Sequence, residues 1–435
     1  MTTAKKATLL QMVFLIYGAA CGGAFGLEEM VSGSGPGIAL ITLAIMPFLW
    51  SIPISLACSE LASTFPLEGG YYQWARMAFG DRVGYLTAWW TWLGIFATNA
   101  TFVVMFNSYL GHWIHLSFIE QLLVSIGLIW SMTYLNIRGI KSVGDSSTWM
   151  TILLLLPFVI LIALGLYHWQ GNPFIPFNQP EKSTITSFAD AIMIGVWLYS
   201  GYDKITVSAE EVENPKRNFP LAFGIAVPFV AVSYFLPTFA ALAGHGHWQD
   251  WHDGYFSDVA TILGGPLLGG AMTGAALLSN MVLLNTTMLA QSRLPMALSK
   301  NNLFPRFFQK LSPKYQTPVL SLVFGSVVLT ILSIASLSQL ITMYSVTQMI
   351  GYLIIYASLW KLRTMYPNVA RPFTIAGGKL GILLLLIPSV CIAIFSFVKI
   401  DHALIGILAV ASGPLTYILF KIFMPNFKNT NAPAP

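Results

Sequence analysis

Apolar residues in this chain gather into runs of roughly 18 to 25 positions, the length a helix needs to cross about 30 Å of hydrocarbon. Short polar breaks separate the runs, and none shows a strict alternation of polar and apolar positions. A bilayer tolerates no unpaired backbone facing lipid, so a spanning segment is a helix or a strand of a closed barrel. Without alternation, helices remain. The pattern predicts an all-α membrane protein with twelve transmembrane helices, at 8–31, 37–63, 83–111, 119–136, 148–168, 187–210, 219–243, 258–292, 317–336, 338–361, 379–398 and 402–424. The connections are short, the longest outer one lying near 244–257, and no linker or extramembrane domain interrupts them. Residues 1–435 read as one membrane domain.

Composition adds the solvent. Of 435 residues, 56% are hydrophobic and 9% charged, with a mean hydropathy of +0.69. A soluble domain carries about a quarter charged residues, so these few charges cannot cover a water-facing surface. Charge then sets orientation. Of the 22 Lys and Arg, only Lys182 and Lys399 fall in predicted outer connections, and Lys204 falls within a span. The rest lie on the inner side if the N-terminus is inside, which is the bias of cytoplasmic loops. Both termini are therefore placed in the cytoplasm. The net charge of +5 reflects this bias rather than a nucleic-acid surface. The first apolar segment is too long for a signal peptide, and no soluble domain follows it.

Chemistry-bearing motifs are sparse. Cys21, Cys58 and Cys391 all fall inside spans and offer neither metal-ligand nor disulfide spacing. The histidines show no ligand spacing, and His245, His247 and His252 decorate an outer loop. No phosphate-binding glycine loop, nucleophile elbow or metal motif occurs. No cofactor, metal or catalytic cluster is expected, and the chain does not read as an enzyme.

The informative features are breaks. Span one is apolar to Ile16, then reads Gly18-Ala19-Ala20-Cys21-Gly22-Gly23-Ala24-Phe25-Gly26-Leu27-Glu28-Glu29. Glycines four apart form a small-residue packing face. The Gly22-Gly23 pair goes further, because adjacent glycines weaken a helix. Two glutamates follow before the span surfaces, and each intramembrane carboxylate costs about 2.5–3.5 kcal/mol on insertion scales. Span six repeats the pattern in Trp197-Leu198-Tyr199-Ser200-Gly201-Tyr202-Asp203-Lys204. Spans one and six would open the two halves of a 5+5 inverted repeat, 8–168 and 187–361, with two peripheral helices over 379–424. Paired discontinuous helices at matching positions point to a central binding site. Asn99 in span three and Asn280, Asn285, Thr286 and Thr287 in span eight read first as interhelical hydrogen-bonding residues. Glu60 reads as a structural residue near the interface.

Four stretches carry a family resemblance: the glycine-rich break at 21–26; Ser59-Glu60-Leu61-Ala62-Ser63-Thr64-Phe65-Pro66 with Gly69-Gly70-Tyr71-Tyr72; Ala209-Glu210-Glu211-Val212-Glu213-Asn214-Pro215-Lys216; and Ser292-Arg293 through Asn302-Leu303-Phe304-Pro305. End to end, the chain resembles the amino acid–polyamine–organocation superfamily, and within it the polyamine-uptake branch related to L-type transporters. The resemblance implies a LeuT-like fold. It also implies a site built on the backbone of Cys21, Gly22, Gly23, Ala24 and Phe25 and of Tyr199, Ser200, Gly201 and Tyr202. By similarity to bacterial arginine/agmatine exchangers, Asn99, Trp197 and Asp203 would join the site or its coupling, and Thr287 would face the substrate. Cys21-Gly22-Gly23 departs from the usual Gly-Ser-Gly, which favours a substrate without a carboxylate. L-type light chains carry a linking cysteine after span three. Residues 112–118 hold none, so no disulfide-linked heavy chain is expected.

The expected function is proton-coupled secondary transport of a cationic amine, a polyamine or basic amino acid, across a plasma membrane, in particular a bacterial inner membrane. Glu28, Glu29 and Asp203 outnumber Lys204 near the breaks, and Trp197, Tyr199 and Tyr202 offer cation–π faces. A neutral amino acid remains the alternative substrate if Lys204 pairs with a glutamate on span one as a structural bridge, and a substrate-sensing receptor on a transporter fold is the alternative of another class. Glu28 is the first candidate for the proton, with Glu29 its neighbour. Successive helical residues point about 100° apart, so only one of the two faces the site squarely.

Overall fold

The computed structural model describes residues 6–111, 113–398 and 403–424. Lys399 of the orientation argument, and Lys5 and Lys428 among the basic residues it puts on the inner side, lie outside the described residues. Helices α1 (Leu9–Ala20) and α2 (Glu28–Ser34) fill the first predicted span, with a non-helical gap between them. Helix α3 (Pro36–Met46) runs through one wide turn, Pro47–Ser51, into α4 (Ile52–Thr64). Then follow α5 (Tyr71–Phe79), α6 (Asp81–Gly111), α7 (Phe118–Ile137), α8 (Ile140–Tyr167) and α9 (Thr184–Leu198). A gap and a tight 3-10 segment, Tyr202–Glu211, lead to α10 (Pro215–Gly244), α11 (Tyr255–Gly264) and α12 (Pro266–Lys300). Helices α13 (Val319–Leu332), α14 (Leu337–Met365), α15 (Gly378–Val398) and α16 (Ala403–Phe423) complete the chain. Every predicted span is occupied by helix. Eight helical stretches among the described residues are long and apolar enough to cross a membrane.

Several boundaries differ from the sequence reading, among them the end of the eighth span, which reaches Lys300 rather than 292, and two with a local cause or consequence. The predicted span 258–292 is broken at Gly265, whose φ is +82°, with Pro266 starting a new helix. A positive φ suits glycine, and proline at a helix start loses only an N–H that had no partner. The fifth span starts at Ile140 rather than 148, so Lys141 joins its first turn.

Prolines inside the helices show how the bundle is stapled. A proline gives no N–H to the carbonyl four residues back, and inside a membrane neighbouring helices must supply the donor. Pro47 leaves the Leu43 carbonyl free, and the Tyr199 hydroxyl donates to it at 2.7 Å. Pro295 frees that of Gln291, which takes the Trp92 indole N–H at 2.9 Å. Pro414 frees that of Val410, taken by Trp90 at 2.9 Å. Pro53 frees that of Leu49, reached by the Ser389 hydroxyl at 3.4 Å. Trp92→Phe, which strands a buried acceptor, is expected to cost about 1–3 kcal/mol. The loss should be smaller in a Pro295→Ala background, where the helix regains its own donor. Chemical unfolding of the four variants of this cycle measures it.

The basic segments meet at one end of the bundle. Ala7 pairs with Val212 through Ala7 N–H to Glu211 O (2.9 Å) and Glu213 N–H to Ala7 O (3.0 Å). Arg293 binds Glu211 at 2.8 and 3.2 Å, and Lys300 binds Glu68 at 2.6 Å. Burial pushes the Glu68 carboxyl up, and Lys300 pulls it back down. Glu60 is buried and gripped by Arg363, Arg371 and the Ile375 N–H, the structural role expected of it. The opposite end joins 33–38 to 172–182 and holds Lys182, paired with Asp190 at 2.8 Å.

Candidate functional site

Both breaks exist, and they touch. Residues Cys21–Leu27 are not helical, with Gly23 and Gly26 at φ +91° and +80°. Cys21 ends α1 in an extended conformation, its sulfur accepting the Gly23 N–H at 3.3 Å. In the second break, Gly201 has a φ of +110°, and a Cβ there would lie 2.2 Å from the Ala19 carbonyl oxygen. Only glycine allows this backbone-to-backbone approach. The Tyr234 hydroxyl of α10 joins the two breaks, 3.3 Å from the Ala20 carbonyl and 3.1 Å from that of Leu198.

The wide turn in span two exists to serve the second break. Ser51 Oγ donates to the Tyr199 carbonyl at 3.4 Å, and Trp50 donates its indole N–H to Ser200 Oγ at 2.9 Å. The packing reading of the glycine face also holds. A Cβ on Gly18 would strike Val282, and one on Gly22 would strike Ser279 and Leu283 on α12.

Between the breaks lies a small cavity of about 30 Å³, lined by Gly22, Phe25, Thr98, Phe102, Trp197, Ser200, Tyr234, Ser279, Asn280 and Tyr344 among others. That is room for about two waters. Gly22, Phe25, Trp197 and Ser200 were foreseen from sequence and line it directly. Phe25 covers the cavity on the Glu28 side, its ring centroid 5.0 Å from Phe158 and 5.7 Å from Tyr109. The Trp197 ring fills the space where Gly26 has no side chain, 2.8 Å from where a Cβ would lie.

The remaining predicted residues stand around this space. Gly23 and Ala24 belong to the first unwound stretch, and Tyr202 is buried at the start of the 3-10 segment. Asn99 accepts from Thr287 Oγ1 and donates to Gln291 at 2.5 Å, so the two predicted side-wall residues are satisfied by each other. Asp203 is buried against Lys204 (3.2 Å), Gln348 (3.1 Å) and the Tyr352 hydroxyl (3.1 Å), and that hydroxyl also takes the Gly201 N–H at 3.1 Å. Lys204 reaches Gln348 at 2.5 Å and sits over the Tyr344 ring at 5.8 Å. Glu28 is fully buried; its carboxylate accepts the Gly26 N–H at 2.7 Å and the Gly254 N–H at 3.4 Å, and no cation pairs with it among the described residues. Glu29 is exposed. Asp253, next to Gly254 in the loop, has its carboxyl pushed up by burial.

Asn280, read from the sequence as an interhelical hydrogen-bonding residue, instead has its side-chain oxygen buried without a partner beside the cavity. Sequence reading passed over Tyr344, Gln348 and Tyr352, although their four-residue spacing puts three polar groups on one helix face.

Comparisons with known proteins agree with this architecture. The amino acid permease family matches residues 8–426. The polyamine transporter RMV1 of Arabidopsis thaliana is 30% identical over 414 residues, covering 94% of this chain and 84% of the relative. A probable polyamine transporter of the same plant is 33% identical over 394 residues, 88% and 80% of the two chains. The polyamine transporter PUT1 of Oryza sativa subsp. japonica is 29% identical over 425 residues, 95% and 78%. The chain belongs to the amino acid permease family of the amino acid–polyamine–organocation superfamily, and it is a multi-pass membrane transporter rather than an enzyme.

Proposed function

We propose that the protein is a proton-coupled transporter of a cationic amine, a polyamine before a basic amino acid, working by alternating access in a plasma membrane. The scaffold would be twelve spans on a LeuT-like 5+5 inverted repeat, with both termini in the cytoplasm. One observation carries the substrate class. An unwound span one offers N–H groups to which a substrate carboxylate would bind, but here Glu28 already holds the Gly26 N–H, and Phe25 and Gly23 N–H are bonded within the break. The site thus supplies its own carboxylate. A ligand without one, bearing an ammonium instead, complements the free Asn280 oxygen and the faces of Phe25, Trp197 and Tyr344, and leaves Glu28 to carry the proton. The names of the plant relatives point the same way.

The basic-end contacts of Ala7, Arg293 and Lys300 on one side and the Phe25 aromatic cluster on the other are the two closures that would open in turn. The cavity must expand to admit any amine. A second reading, a neutral amino acid carrier or exchanger, is favoured by the Asp203–Lys204 pair, which removes one acid from the charge surplus.

A thermal-shift screen of the purified protein separates them. Putrescine and spermidine at a hundredfold excess over Kd are expected to stabilise it by about 2.7 kcal/mol, with leucine inert. Stabilisation by leucine alone overturns the cation reading, and stabilisation by arginine alone moves the substrate to a basic amino acid.

A further inference from the structure

The geometry points to a binding site for one anionic phospholipid in the groove between α5, α14 and α15, with its phosphate held by Lys361 and Lys379. The groove has a volume of about 540 Å³, and Tyr356, Ile382, Leu383 and Leu386 form an apolar wall suited to an acyl chain. It opens on the lipid-facing side, where Leu383 is 44% and Trp360 40% exposed. Two ammonium groups stand at its lip. Lys361 lies over the Phe79 ring at 4.5 Å, and Lys379 lies over the Trp360 ring at 5.7 Å.

Neither lysine meets a carboxylate among the described residues, and the sequence explains why. Between Asp258 and Asp401 there is no Asp or Glu. Glu60 is already taken by Arg363, Arg371 and the Ile375 N–H, and Asp81, two residues beyond Phe79, by Arg76 at 2.6 Å. The lip therefore carries two uncompensated positive charges directly above an apolar slot. Long basic side chains at such a position lay their stems on apolar surface and raise the charge to headgroup level. Basic pockets between spans are the recognised form of an acidic-headgroup site. A lipid is the one occupant that the membrane delivers to this face with both an acyl chain and a phosphate. The inference does not depend on what the transporter carries.

Native mass spectrometry of the full chain tests it, with phosphatidylglycerol and phosphatidylcholine titrated in turn. Phosphatidylglycerol is expected to bind at least about tenfold tighter. K361Q/K379Q should abolish that preference while keeping the weaker phosphatidylcholine adduct. Leu383→Trp, which fills the slot, should weaken both lipids. Equal binding of the two lipids, or a preference that survives in K361Q/K379Q, overturns the proposal. So does a dimer that displaces the lipid, which would give the groove to a second copy of the chain.

Discussion

Asp203→Asn is expected to cost the folded protein about 3–5 kcal/mol, the usual penalty for removing one member of a buried ion pair. The reason lies in what remains. Lys204 is 2% exposed, and its ammonium would keep only Gln348 and the Tyr344 face. Tyr352 and Gln348 would share one neutral amide oxygen in place of a carboxylate, weakening the hold on the hydroxyl that takes the Gly201 N–H. Asp203→Asn/Lys204→Met should recover most of the loss, because removing both charges removes the desolvation cost of each. The non-additivity of the two single variants, read from chemical unfolding in detergent, is the signature of a coupled pair. The result also tests the sequence reading of Asp203 as a substrate ligand. If Asp203→Asn unfolds like the parent but binds the amine well over tenfold more weakly, the carboxylate faces substrate in the loaded state. A destabilised variant with parental affinity makes Asp203 a structural anchor.

Local chemistry was legible in the sequence, and long-range pairing was not. Gly22-Gly23 and Ser200-Gly201 announced both breaks, because backbone freedom is a property of the residues themselves. Helix lengths followed from the apolar runs. The failures came where a distant partner decides. Pro414 marks a free carbonyl at Val410, but nothing local says that Trp90, on another helix, fills it. Gly264-Gly265-Pro266 carries a local break that the span 258–292, drawn from its apolar residues alone, ran through. The pairing of Asp203 with Lys204 is the most instructive case. The family resemblance set Asp203 at the substrate site, and the partner weighed for Lys204 was a glutamate on span one. In a 3-10 segment against α14, Gln348 and Tyr352 gather both into one polar knot. That knot was readable only as a face on α14 whose opposite side could not be assigned.

Glu28→Gln is expected to abolish pH-driven accumulation of the amine while leaving its binding in place. The substitution keeps the shape, and the amide oxygen still accepts the Gly26 N–H, so the first break should hold. What it removes is the charge that can be gained and lost. In the closed state Glu28 is fully buried among backbone donors, with the Phe25 cluster nearby. Opening that end would bring water to the carboxylate, so its protonation would alternate with access. A pH gradient of one unit stores about 1.36 kcal/mol per proton, enough for about tenfold accumulation in proteoliposomes with one proton per amine. The parent should approach that ratio, and Glu28→Gln should equilibrate near one. Glu29→Gln should behave as the parent, because Glu29 is exposed and stands outside the backbone donors that hold Glu28. Normal pH dependence in Glu28→Gln would move the proton route to Glu29 or Asp203. Loss of amine binding altogether would instead make Glu28 the ammonium's direct partner, with proton and substrate competing for one carboxylate.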